Sequence, residues 1–134
     1  MTTRRLEIGD WCCTFFFCYD QSDLEEIMQT LQDCDAPEWI LEDAYTNITE
    51  GTPNEGFTFA DAEYRCAVIA MGFAESGAEF LNTFNHELRH LVDDIAYVES
   101  LPFRGEEVAY LTGNITLDVA DVVCKYSCNH CRLH

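Results

Sequence analysis

The nine residues from Trp11 to Tyr19 (WCCTFFFCY) constrain this chain more than any other segment. Their aromatic content predicts a strand, the apolar part of a β-prone stretch that begins at Leu6. Alternation puts Trp11, Cys13, Phe15, Phe17 and Tyr19 on one face and Cys12, Phe16 and Cys18 on the other. Both faces are apolar, so both need cover, and such a strand belongs in a sheet with layers on each side. The run is too short for a membrane span. A chain of 134 residues, 48% of them hydrophobic, supplies one core of ordinary size. A single domain over 1–134 is therefore expected, with 124–134 as a cysteine-rich tail.

Downstream of that strand the chain reads mainly as helix. Ser22-Asp23-Leu24-Glu25 has the form of a capping box and predicts a helix to about Cys34, with Leu24, Ile27, Met28 and Leu31 facing inward. Pro37 starts a second helix through Ala44, and Thr49 to Gly56 reads as loop. Phe57 to Ala60 and Tyr64 to Met71 read as strands. A long helix is predicted from about Ala78 to Glu99. A last one runs from Arg104 to about Cys124, with Val108, Leu111, Ile115, Val119 and Val122 as its core stripe. This order predicts an α+β domain, with helices packed over a small, mostly antiparallel sheet.

Charge removes two classes of partner. Seven Lys+Arg against 25 Asp+Glu leave a formal −18. A surface that negative is repelled by phosphate backbones and by anionic lipid heads, so neither nucleic acid nor membrane is expected. A basic protein or peptide, or a bound cation, fits the charge. Arg4 and Arg5 are followed by Glu7 and Asp10, which makes a poor export signal. The eight cysteines are unevenly placed, so a cytoplasmic chain with mostly reduced thiols is expected. Cys12, Cys18, Cys34 and Cys66 lie among apolar residues and read as small buried hydrophobes.

The chemistry centres on His86-Glu87-Leu88-Arg89-His90, an H-E-x-x-H. Two imidazoles four residues apart on a helix share one face and can hold one metal ion between them. Phe84, Leu88, Leu91 and Ile95 form the apolar stripe, with Asn82, His86, His90, Asp93 and Tyr97 opposite. Zn²⁺ suits such nitrogen ligands, and Glu87 is placed to take a proton from a metal-activated water. A third ligand is expected from Glu106 or Glu107 at the start of the last helix. Glu106 is preferred: it lies in line with Tyr110, Gly113 and Leu117, and Gly113 would let two helices approach. Glu107 flanks the core stripe. Acids at a helix start also complement the helix dipole, which suffices for one of the two.

These residues resemble the zincins, and within them the gluzincin arrangement of H-E-x-x-H followed by a Glu on a second helix. The stretch from Asn54 to Ile115 is also similar to small zincin-like proteins of bacterial phages and mobile elements. The similarity rests on Asn54-Glu55-Gly56-Phe57-Thr58, on Glu79-Phe80-Leu81-Asn82-Thr83 running into His86–His90, and on Gly105-Glu106-Glu107-Val108-Ala109-Tyr110-Leu111. In related helices the liganding Glu precedes an Ala by three, as Glu106 precedes Ala109. Tyr110 stands where many gluzincins carry an Asp, which leaves Asp93 or Asp94 to orient a histidine. The resemblance implies a zinc-dependent peptidase-like hydrolase. Zn²⁺ would be held by His86, His90 and Glu106, with Glu87 as the general base and a peptide or protein as substrate. It also implies that Tyr64 to Met71 lines the cleft and pairs with substrate. Tyr97 and Tyr110 are the candidate oxyanion donors. The alternative is a non-enzymatic acidic binding or inhibitor module with a structural metal site. Cys124, Cys128, Cys131 and His134 have the ligand chemistry of a second, structural zinc, or of a tail of free thiols.

Overall fold

The computed structural model describes residues 1–133. The apolar strand Trp11–Tyr19 (β2) sits inside a four-stranded sheet of order β1-β2-β4-β3, with β1 Thr2–Ile8, β3 Gly56–Asp61 and β4 Cys66–Gly72. The outer pairings are antiparallel and the central one, β2 with β4, is parallel. The sheet is therefore mixed, and the fold is α+β. Helices α1 (Leu24–Asp33) and α2 (Glu38–Glu50) cover one face. The other face carries α3 (Gly77–Val98), α4 (Glu106–Asp118) and α5 (Ala120–Ser127), followed by the single turn α6 (Asn129–Arg132). Among the described residues no helix is long and apolar enough to cross a membrane.

Both faces of β2 are buried, as its composition demands. Trp11, Cys13, Phe15 and Phe17 join Phe80, Phe84, Leu88 and Leu91 beneath α3. Phe16 packs with Ile27, Leu31 and Ile48 on the other side. Each fully buried ring contributes roughly 1.5–3 kcal/mol of transfer free energy, so the two-sided strand dominates the core. The alternation predicted for it fails at one point. Cys18 takes a left-handed φ of 60°, and the register with β4 shifts between Phe17 and Tyr19. That bulge rotates Tyr19 onto the α1/α2 face and Cys18 toward the α3 face, the reverse of simple alternation.

Other boundaries move for local reasons. The stretch from Leu6 is two strands, because Gly9 adopts φ +58° and closes a two-residue hairpin. The capping box lies two residues earlier than its sequence form: Asp20 accepts from Ser22 N, and Asp23 accepts from Asp20 N at 2.9 Å. Helix α2 continues through Glu50, held by the buried Ile48, and stops at Gly51 with φ +65°. The last helix breaks at Val119 into α4 and α5. Its core stripe holds, with Val108, Ile115, Val119 and Val122 buried and Leu111 partly so.

The thiols differ from expectation. Cys34 and Cys66 form a disulfide that ties the end of α1 to the start of β4. Closing its loop stabilises the fold by roughly 3–4 kcal/mol in the chain-entropy account. The other six cysteines are free thiols. Cys12 is exposed, not buried. Of the four, only Cys18 is a free thiol packed against the apolar core.

Candidate functional site

Helix α3 begins at Ser76, whose hydroxyl oxygen accepts from Glu79 N at 3.1 Å. Its apolar stripe of Phe84, Leu88, Leu91 and Ile95 is buried against the sheet, which turns His86 and His90 to the opposite, exposed side. Their Nε2 atoms stand 3.2 Å apart, close enough that one imidazole donates to the other. Two nitrogens each roughly 2.0–2.1 Å from one tetrahedral ion would stand about 3.3–3.4 Å apart. The pair therefore has the spacing of two ligands of one metal.

Glu87 is handled differently from its neighbours. It is only 4% exposed, although it lies between two exposed histidines in the sequence. Thr58 Oγ1, on the edge strand β3, donates to Glu87 Oε2 at 2.6 Å, and the Glu87 main-chain carbonyl lies 3.2 Å from the same hydroxyl. Glu87 Oε1 is 3.9 Å from His86 Nε2. A carboxylate in so little water needs polar partners, and here one oxygen has the threonine while the other faces the histidine. The close approach of β3 to α3 depends on Gly56. A Cβ there would stand 2.6 Å from the Ala70 carbonyl and 3.0 Å from Glu87 Cγ.

A cleft of about 370 Å³ opens beside His86 and Glu87, walled by Asn47, Asn54, Glu55, Asn82 and Thr83. Asn54 holds its corner with φ +65°, its side-chain oxygen accepting from Glu75 N at 2.9 Å and its carbonyl accepting from Thr83 Oγ1 at 3.1 Å. The segment Asn54 to Thr58 thus builds the wall around Glu87. Thr58 as the partner of Glu87, and the carboxamides of Asn47 and Asn54 in the cleft, go beyond the site residues read from sequence. Asn54 and Thr58 lie in the N-x-G-F-T run; Asn47 lies in α2 and has no such signal.

The remaining expected residues fall elsewhere. Glu106 lies in the exposed first turn of α4, and its line continues through the exposed Tyr110, Gly113 and Leu117. Gly113 does not mediate a close approach: a Cβ there would meet nothing within 4 Å. Glu107 borders a different cavity, with Trp11, Ile95, Glu99 and Tyr110. Among the described residues no group of three or more His, Cys, Asp or Glu side chains is placed to hold a metal ion. The structure brings together His86, Glu87 and His90, and does not bring Glu106 to them.

Two further roles change. Strand β4 is paired on both sides, so it has no edge to offer a substrate; the edge on this side of the sheet is β3. Tyr97 and Tyr110 are 79% and 66% exposed and neither lines the cleft. Of the acids considered for orienting a histidine, Asp93 is taken by Arg89, whose Nε donates to both its oxygens at 2.9 and 3.0 Å. Asp94 is the carboxyl beside His90: burial raises its pKa, and the His90 charge pulls it partly back. Comparison of the chain with protein-family models, with curated proteins and with solved structures finds no match.

Proposed function

We propose that the protein is a zincin-like, zinc-dependent peptidase-like hydrolase whose centre is the His86–His90 segment of α3. The observation that carries this reading is Glu87, a buried carboxylate clamped by Thr58 beside two imidazole nitrogens at metal-ligand spacing. Bound zinc would polarise a water in the cleft and an acyl oxygen of the substrate. Glu87 accepts a proton through Oε1 while Oε2 stays with Thr58, and returns that proton to the leaving amine. An extended peptide would add to the edge of β3 through main-chain hydrogen bonds. In this reading His86, His90 and Glu106 would hold the zinc.

The test is Glu87→Gln. It should keep zinc in stoichiometric amount while cleavage of a mixture of fluorogenic peptides disappears. Cleavage at the wild-type rate by the variant would reject the hydrolase. A second reading is supported by the exposed histidine pair and by the net charge of −18. It is an acidic binding module that engages a basic protein and uses the histidine pair to hold a structural metal. There Glu87→Gln leaves function intact and His86→Ala lowers the melting temperature.

A further inference from the structure

The hydrolase reading uses none of the cysteines, yet three of them meet at one point of the sheet. Cys34, at the end of α1, is bonded to Cys66, the first residue of β4. Cys12, the second residue of β2, is the register partner of Cys66 on the neighbouring strand. It is a free, exposed thiol, whereas Cys34 is only 2% exposed. The bond therefore has one half in the core and an exposed thiol beside its other half.

The sheet register puts Cys12 and Cys66 on one face. Next along the ladder, Cys13 pairs with Ala67, and both lie in the core beneath α3; Phe16 pairs with Ala70, and both lie on the α1/α2 side. Side chains alternate along a strand, so Cys12 and Cys66 fall with Phe16 and Ala70, on the side from which Cys34 comes. Paired strands lie roughly 4.7–4.9 Å apart, inside the Cα range over which a disulfide forms. The Cys12 N–H donates to the Arg65 carbonyl at 2.9 Å, which fastens Cys12 to the residue before Cys66. The cleft lies at the other end of this sheet: Gly56, in its wall, pairs with Met71, and Asp61 pairs with Cys66, roughly 16–17 Å further along the strand.

We propose that Cys12 is the entry thiol of a relay through which small thiols open the Cys34–Cys66 bond. In the first step the Cys12 thiolate bonds to Cys66 Sγ, and Cys34 leaves as a thiolate that takes up a proton. The bond has then moved from a buried partner to an exposed one. In the second step a small thiolate, RS⁻, bonds to Cys12 Sγ and expels Cys66, which is protonated in turn. In the third, another RS⁻ bonds to the sulfur carrying R, which frees Cys12 and releases R–S–S–R. Two RSH are oxidised, the protein bond becomes two thiols, and Cys12 returns unchanged. The first step joins registered neighbours within one chain, which favours it over direct attack on a shielded bond. Its outcome is structural: the end of α1 is released from β4.

The test uses the full chain with its disulfide formed, mixed with 2-mercaptoethanol, a neutral monothiol, then quenched in acid and mapped by mass spectrometry. Loss of the Cys34–Cys66 bond should be about tenfold slower in Cys12→Ser than in wild type, and unchanged in Cys124→Ser. Cys12 is exposed and outside the native bond, so Cys12→Ser leaves that bond in place for the comparison. Equal rates in wild type and Cys12→Ser would overturn the proposal. A second variant tests the geometry alone. Folded Cys34→Ser, oxidised with the disulfide of 2-mercaptoethanol, should carry a Cys12–Cys66 bond. Cys12 and Cys66 left unlinked by that treatment would also overturn the relay.

Discussion

The two helices expected to share a metal are built to different standards. On the α3 side the residues that wall in Glu87 are fixed by something else: Thr58 by strand pairing, Gly56 by close packing, Asn54 by hydrogen bonds to Glu75 and Thr83. On the α4 side Glu106 is exposed and belongs to a line of exposed residues. The difference teaches which part of a site folding alone can preorganise. Residues that also pack the core come pre-positioned; a residue on a solvent face does not. Glu87 is held in place by the fold, and Glu106 is not.

The largest expected effect lies on the ready side. Glu87→Gln should lower cleavage by roughly 10²- to 10⁴-fold, the usual worth of a positioned base, with zinc content unchanged in elemental analysis. The comparison itself breaks or stands on Glu106→Gln, which should weaken zinc affinity by more than about a hundredfold in a chelator competition, beyond the loss usual for supporting residues. Glu107→Gln should leave that affinity unaltered. Equal behaviour of the two variants would make α4 a bystander. Thr58→Val should cost roughly 10- to 100-fold in kcat, as removal of a supporting partner does, with little change in KM. Gly56→Ala should destabilise by about 1–3 kcal/mol through overpacking, read as a lower midpoint in urea. The smallest effect is an acid limb far from the site. Arg65, and then Trp11, hold the Glu99 carboxyl below its ordinary range, so that contribution is complete at neutral pH and is lost as pH falls through the lowered value. Glu99→Gln should flatten this limb in melts taken between pH 7 and 3.

Much of this architecture was legible because burial dictates periodicity. The α3 stripe, the core face of α4 and α5, and the two-sided β2 follow from which side chains need cover. What escaped depends on single backbone angles or on partners distant in sequence. Gly9 and Cys18, both at positive φ, made one strand two and reversed the end of β2. The parallel pairing of β2 with β4 is a property of topology, and it moved the open edge from β4 to β3. Periodicity exposed the histidines correctly but could not show that Glu87 is buried, because its cover comes from β3, 29 residues earlier. The Cys34–Cys66 bond joins residues 32 apart, a pairing that spacing alone does not reveal.

The central claim is that His86 and His90 hold a catalytic metal within reach of Glu87. Anomalous scattering at the zinc edge, from crystals of the purified chain, tests it most directly. The account predicts a peak at roughly 2.0–2.1 Å from both Nε2 atoms, with Glu106 drawn in as the third ligand. A peak confined to the cysteine tail, or no peak at all in crystals grown with excess zinc, would contradict it.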